Sequence, residues 1–368
     1  MKPPDYVAGL FYFYENLIAM NKSLLVVLML SLLFSCGKDS KPKKTRVVTN
    51  VSIETIYSDS LISIRAIELL EDGNLAFAGS QNTYGLYNTK SKTLSLATQE
   101  VDSLILEFRA IAHTSADFFM LAVASPAMLF KTGDQAEMEL VYLEDHEKSF
   151  YDAMRFWNNK EGIAIGDPTS DCMSIIITRD GGNTWKKIAC DDLPKAKEGE
   201  AAFAASNTNI AIVGDHTWIA TGGMASRILY SANKGKTWDI FETPIVQGKA
   251  TTGIYSLDFY DEHNGFAIGG DYTKSADSTA NKIRTSDGGK IWHVVAKNHS
   301  PGYRSCVQYV PNGGGKELLA VGFKGIDYSN DSGDSWSHIS DEGFYTLRFL
   351  NDSIAYAAGK GRIAKLKF

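Results

Sequence analysis

The chain has 368 residues, 44% of them hydrophobic and 22% charged, with a formal net charge of −6. That is globular composition with ample length for a large core, and the acidic balance excludes the basic face expected of a nucleic-acid binder. No CxxC, HExxH or HxH spacing offers a transition-metal site. No GxGxxG opens a helix and no GxxxxGK[ST] is present, so neither metal nor nucleotide cofactor is expected.

In chain order, the first segment stands outside the fold. Asn21, Lys22 and Ser23 are weakly basic and precede an apolar run, Leu24 to Leu33, too short to span a bilayer of about 30 Å as a helix. The run ends in Leu33-Phe34-Ser35-Cys36-Gly37, which resembles a bacterial lipobox with cleavage before Cys36 and lipid on its sulfur. Residues 20–35 then read as a lipoprotein signal peptide starting at Met20, and residues 1–19 as an upstream extension. Residues 36–46, polar and Lys-rich, read as the lipidated cysteine and a flexible tether. The expected location is the cell envelope, on the outer membrane, held by the lipid.

Residues 47–368 carry a repeat. Thr178-Arg179-Asp180-Gly181-Gly182-Asn183-Thr184-Trp185 recurs as Ser231 to Trp238, Thr285 to Trp292 and Ser329 to Trp336. The shared pattern is [ST]-x-[DN]-x-G-x-[TSI]-W. An Asp or Asn (Asp180, Asn233, Asp287, Asp331) folds back onto backbone N–H groups, and glycine supplies a positive φ. The tryptophans Trp185, Trp238, Trp292 and Trp336 open the next strand and pack between neighbours. These aspartates are turn-builders rather than catalytic acids.

Each phrase follows two or three short apolar runs, and similar runs recur without it. Their second strands end at Gly79, Ala124, Gly166, Gly214, Gly269, Gly322 and Gly359. The spacing predicts an all-β, seven-bladed propeller with four-stranded antiparallel blades. The fourth unit uses Ala201 to Ala205 and Ile210 to Gly214 as its inner strands. The seventh unit runs out of chain, so Val47 to Ser58 is expected to close it as an N-terminal outer strand and remove exposed edges. A monomer is expected.

The four phrases resemble the Asp-box, or BNR repeat, of β-propellers. From about residue 47 to 368 the chain resembles the photosystem II assembly and stability factor family, and looks closest to bacterial lipoproteins of that type. Such members often carry the label oxidoreductase, although no redox motif is visible here. The resemblance implies a non-enzymatic assembly or binding role.

Of the four cysteines, Cys36 is the lipid anchor and Cys306 lies on an apolar inner strand as a buried thiol. Counting outward from Thr178 and Trp185 brings Cys172 opposite Cys190. An exported chain would join them, closing a loop worth about 3 kcal/mol.

In propellers of this kind the Asp-box turns lie on the bottom face. The loops after the second strands lie on top. Asp167, Asp215 and Asp271 each follow a second-strand glycine, and Arg65, Arg109, Tyr151, Tyr255, Arg304 and Tyr345 stand at inner-strand entrances. They form the expected ligand-binding set, because long loops on a rigid scaffold are where binding concentrates. Two functions compete. One is a tethered module that engages an envelope protein or glycan. The other is a sialidase-like or related glycoside hydrolase, in which top-face aspartates would flank the bond; the [FY]-R-I-P motif of sialidases is missing.

Overall fold

The computed structural model describes residues 46–133 and 137–368. The upstream extension, the signal peptide, Cys36 and all of the tether except Arg46 lie outside the described residues. Apart from two one-turn 3-10 helices, Cys190–Asp192 and Tyr272–Lys274, the described elements are all strands. None of the described helices is long and apolar enough to cross a membrane.

The strands make a β-propeller of six antiparallel sheets, numbered I to VI by their inner strands. Sheet I joins Thr346–Asn351, Ile354–Lys367, Ser52–Leu69, Leu75–Gly79, Thr83–Asn88 and Thr93–Thr98. Sheet II is Phe108–His113, Phe118–Ala122, Ala127–Thr132 and Met138–Glu144; sheet III is Tyr151–Phe156, Gly162–Gly166, Ser174–Thr178 and Lys186–Lys187. Sheet IV is Ile210–Val213, His216–Ala220, Arg227–Ser231 and Asp239–Glu242. Sheet V is Thr252–Phe259, Gly265–Asp271, Lys282–Thr285 and His293–Val294, extended inward by the short Gly222–Gly223 and Glu200–Ala201. Sheet VI is Cys306–Tyr309, Leu318–Gly322, Gly325–Ser329 and Ser337–Ser340.

The sequence count of seven separate four-stranded blades is therefore corrected to six sheets. The physical reason is strand length. Ser52–Leu69 has 18 residues and Ile354–Lys367 has 14, so each runs through two of the expected units. They pair from Ser52 opposite Lys367 to Ser63 opposite Lys360, and this pairing welds the first and last sequence units into one six-stranded sheet.

A second correction concerns sheet IV. Ala201 to Ala205 is not an inner strand; only Glu200–Ala201 is extended, and it pairs with Gly222–Gly223. The inner strand is Ile210–Val213, and the second strand is His216–Ala220.

The freed segment, Ala202 to Asn209, enters the central channel and closes it. Asn207, at φ 56°, takes the left-handed conformation that Asn tolerates better than most residues. Its amide donates to Ile111 O of sheet II at 2.8 Å and accepts from Met154 N of sheet III at 3.0 Å. Ser206 Oγ donates to Ser305 O beside sheet VI at 2.6 Å. Thr208 Oγ1 donates to Ser256 of sheet V at 2.8 Å, and Thr346 of sheet I donates to Ser206 O at 2.8 Å. Below this segment, Glu68 pairs with Arg155 and, at 3.2 Å, with Arg348. Both arginines also donate to Asn207 O, at 2.9 and 3.2 Å.

Between sheets, the core repeats one arrangement. In the groove between sheets II and III, Phe119 and Phe156 lie 4.7 Å apart and Trp185 meets them edge-on, 5.7 Å from Phe156. Between sheets IV and V, Trp218 stacks on Phe259 at 3.8 Å and Trp292 stands 5.9 Å from Phe259. Trp336 lies 5.7 Å from Phe266 between sheets V and VI, and Trp238 packs in the cluster between sheets III and IV. Each indole is aimed by its turn. In the first, Thr184 N–H donates to Asp180 Oδ1 at 2.9 Å, Gly182 N–H donates to Thr178 Oγ1 at 2.9 Å, and Trp185 Nε1 donates to Gly182 O at 3.2 Å. Gly182 has φ 83°, and a Cβ there would meet Phe119 at 2.2 Å, so no other residue fits. Asn233, Asp287 and Asp331 each accept the corresponding backbone N–H at 2.9 to 3.0 Å.

Cys172 and Cys190 form a disulfide with Cα atoms 5.4 Å apart. The outer strand of sheet III stops at Lys187, so Cys190 reaches its partner from the 3-10 turn rather than from a ladder position. Cys306 is buried and free.

Trp185 and Trp292 are 6% and 4% exposed, whereas Trp238 and Trp336 are half-buried. Trp185→Ala and Trp292→Ala are expected to lower unfolding free energy by about 3–5 kcal/mol, the usual loss for a core aromatic. Trp336→Ala should lose less. Urea titrations of the three variants check this; equal midpoints for Trp185→Ala and the parent would contradict the groove packing.

Candidate functional site

Four inner strands carry a β-bulge near their top ends, at Arg65, Arg109, Asp152 and Tyr255. A bulge adds one residue and re-aims its side chain. Here the added residue leaves the between-sheet alternation and turns toward the channel. Ser305 and Tyr345, just before the strands Cys306–Tyr309 and Thr346–Asn351, join the same ring. Of these, Arg65, Arg109, Tyr255, Ser305 and Tyr345 line, with Phe203, Tyr272, Tyr303 and Phe323, a cavity of about 410 Å³, floored by Ala202 to Ala205. That volume suits a side chain or a small ligand group.

The cavity is aromatic and basic. Phe203 stacks on Tyr255 with centroids 3.9 Å apart, and Tyr303 meets Tyr255 edge-on at 4.8 Å. Burial raises the Tyr255 and Tyr303 hydroxyls above the ordinary phenol range, so both are neutral donors. The Arg65 guanidinium lies 4.0 Å from the centre of the Tyr345 ring, and Nη1 makes one long hydrogen bond, 3.4 Å, to Ala205 O. Its buried Nε has no hydrogen-bond partner. Burial, then the charge of Arg109, lowers its pKa. Arg109 is neutralised by a two-pronged bond to Glu107 at 2.9 and 3.0 Å. Among the described residues, Arg65 has no such carboxylate partner.

The expected site residues divide. Arg65, Arg109, Tyr255 and Tyr345 meet at the cavity. Tyr151 does not; it is fully buried between sheets and donates to Glu144 at 2.7 Å. Arg304 is also buried and is held by Asp327 at 2.5 and 2.6 Å. Both errors have one cause. The expected entrance position is one residue short of the channel-facing one, the bulge at Asp152 in sheet III and Ser305 just before its strand in sheet VI, and a one-residue slip moves a side chain to the other face. The channel-facing neighbours are Asp152 and Ser305.

The three aspartates do not share a face. Asp215 sits in the tight turn between Ile210–Val213 and His216–Ala220, at the bottom, where Lys234 of an Asp/Asn turn lies 3.4 Å from it. Asp271 is on top, but its carboxylate caps Tyr272–Lys274 by accepting from Thr273 N and Oγ1 at 2.9 and 2.6 Å. Burial opposes ionisation of Asp271, and those bonds still hold it below the ordinary carboxylate range. Asp167 accepts from Ala202 N at 2.7 Å, next to the cavity floor. The carboxylate that sequence reasoning missed is Asp152. It is fully buried, and neither oxygen makes a hydrogen bond. Burial, and then the charge of Asp167, raises its pKa well above the usual value. Among the described residues, the one cluster with metal-ligand geometry is Asp171 with Cys172 and Cys190, and the disulfide occupies both sulfurs.

Burial raises Asp167 to about 6 against an unfolded value near 4. A carboxyl raised by folding stabilises when protonated, so its contribution is full below about pH 4 and is lost as pH rises to about 6. Asp167→Asn, which can still accept the Ala202 N–H, should lessen that fall, part of which Asp152 and Asp258 share, and be more stable than the parent at pH 7. Urea titrations at pH 4.5 and pH 7 measure it; a parent-like fall in the variant would refute the assignment.

No family model matches the sequence, and no curated protein matches it. Solved structures do. The structure titled "YCF48 bound to D1 peptide" is 12% identical with a TM-score of 0.62, covering 88% of this chain and 98% of that one. YCF48 from Cyanidioschyzon merolae is 10% identical at TM-score 0.61, covering 86% and 98%. A catalytically inactive virginiamycin B lyase from Staphylococcus aureus with quinupristin is 10% identical at TM-score 0.58, covering 87% and 100%. At these identities the likeness is one of fold: this chain folds as a β-propeller similar to YCF48.

Proposed function

We propose that the protein is a non-enzymatic binding scaffold of the cell envelope, held to the membrane by lipid on Cys36, whose top cavity receives an anionic group of a protein partner. The observation that carries this reading is Arg65. A half-buried guanidinium with a buried, unpartnered Nε and, among the described residues, no carboxylate of its own is costly unless a ligand supplies one. The aromatic wall around it fits the apolar part of such a ligand and keeps water from the charge pair. A bound peptide in the YCF48 structure is consistent with this use of the fold. The Asp-box phrases and the family resemblance support an assembly-factor-like role in the same direction. The glycosidase reading loses its support, because Asp215 and Asp167 lie on opposite faces and Asp271 is engaged as a cap.

Arg65→Gln keeps the size and removes the charge. Full-chain protein with this change should capture its partner from an envelope extract at least about tenfold less well, with unchanged melting. Undiminished capture would refute the cavity as the site. Cys36→Ala should move the protein from the membrane to the soluble fraction or leave it unprocessed. If the variant stays with membranes and keeps its lipid label, the anchoring is wrong.

A further inference from the structure

On the bottom face, between sheets I and II, lies a groove of about 550 Å³. It does not touch the top cavity. Every groove from sheets II/III to V/VI holds a turn tryptophan, whereas this one holds none. The third-strand turn of sheet II is followed by Met138, at the place where sheet III has Trp185.

The neighbouring positions are depleted as well. Three residues before the strand-end partner of the bulge stands Phe119 in sheet II, Ile163 in sheet III and Phe266 in sheet V. In sheet I the same count gives Ala76. His113 stands where sheet III has Phe156. The trio Phe119, Phe156 and Trp185 is thus replaced by Ala76, His113 and Met138. The space left is walled by Leu70, Tyr84, Leu86, Leu96 and Phe118, and Leu96 is 50% exposed. Its rim carries Glu71, Asp72 and Asp117, and Lys131, which donates to Asn183 at 2.7 Å, lies 3.8 Å from Asp117.

We infer that this groove is a docking site for an extended polypeptide segment bearing an aromatic residue next to a basic one. The aromatic ring takes the place that an indole fills in the other grooves, and the basic group meets Glu71 and Asp72. The volume exceeds that of one ring and leaves room for flanking backbone. In the other grooves, too, the ring is delivered by a chain running past the opening rather than as a free molecule.

The test is titration calorimetry on the full chain in detergent with acetyl-Trp-Lys-amide, acetyl-Trp-Glu-amide and tryptamine. The Lys peptide should bind at least about tenfold more tightly than the Glu peptide. Ala76→Phe fills the groove as Phe119 does elsewhere and should weaken the Lys peptide by a similar factor. Should that variant fail to fold, Leu96→Lys changes an exposed rim residue and should do the same by charge. Arg65→Gln should leave this binding unchanged, which separates the groove from the top cavity. Equal binding of the two peptides, no binding at millimolar concentration, or unchanged binding in the folded groove variant overturns the inference. Tighter binding of tryptamine than of the Lys peptide overturns the polypeptide as occupant.

Discussion

The structure depends on how its central channel is filled. Inner strands converge there with backbone and side-chain polar groups that have no sheet partner, and leaving such groups dry and unpaired is costly. The solution is a segment that is itself not a strand. Ser206, Asn207 and Thr208 together bond to sheets I, II, III and V and to Ser305 beside sheet VI. The next residues then become the inner strand of sheet IV. The two arginines beneath share one carboxylate, Glu68, and one carbonyl, that of Asn207. Deleting one member of such a buried group strands its partners, a loss of about 3–5 kcal/mol. Sheet IV therefore sacrifices its own upper inner strand to join the other five sheets around the axis.

That sacrifice also creates the top cavity. Had Ala202 to Ala205 continued as an inner strand, it would have lined the channel wall instead of flooring it. The floor sits directly against the bulge ring, so Arg65, Arg109 and Tyr255 face an enclosed space, while Asp152 is sealed beside Ala202 to Ala204. The cavity's chemistry thus has two sources, the bulges that aim the side chains and the segment that closes the channel.

The sequence displays these features unequally. The turn phrases were legible because each needs particular residues at particular places, an Asx acceptor, a left-handed glycine and a tryptophan; all four appear in the fold with the same Asx and Ser/Thr bonds, and Trp185, Trp292 and Trp336 add the indole bond to the turn glycine. The Cys172–Cys190 pairing was legible by counting along the hairpin, although Cys190 closes it from the 3-10 turn past the end of the ladder. The number of sheets was not, because nothing in a short apolar run tells whether a strand ends or continues into the next unit, as Ser52–Leu69 does. Arg65, Arg109, Tyr255 and Tyr345, read from the sequence, do lie around one cavity, whereas Asp152 and Ser305 stand one residue away from the positions read. A bulge has no composition of its own, and a slip of one exchanges the between-sheet side chain for the channel-facing one. Asp215 was misplaced because Gly214 resembles the other strand-ending glycines, although it sits in the turn at the opposite end.

Repetition and its failures divide the labour of the molecule. The grooves filled by Trp185, Trp238, Trp292 and Trp336 lie consecutively from sheet II to sheet VI. The two cavities described above lie where the repeat breaks, at the missing inner strand of sheet IV and at the groove where Ala76 and Met138 replace large aromatics. An empty apolar space costs stability in proportion to its volume, since its lining loses contacts that nothing replaces. A groove lined by leucines, Tyr84 and Phe118 therefore carries a standing cost that an indole from the neighbouring turn would relieve. The same chain relieves that cost four times elsewhere. Its persistence between sheets I and II makes the unfilled groove a feature with a use, and places that use on the face opposite the arginine cavity.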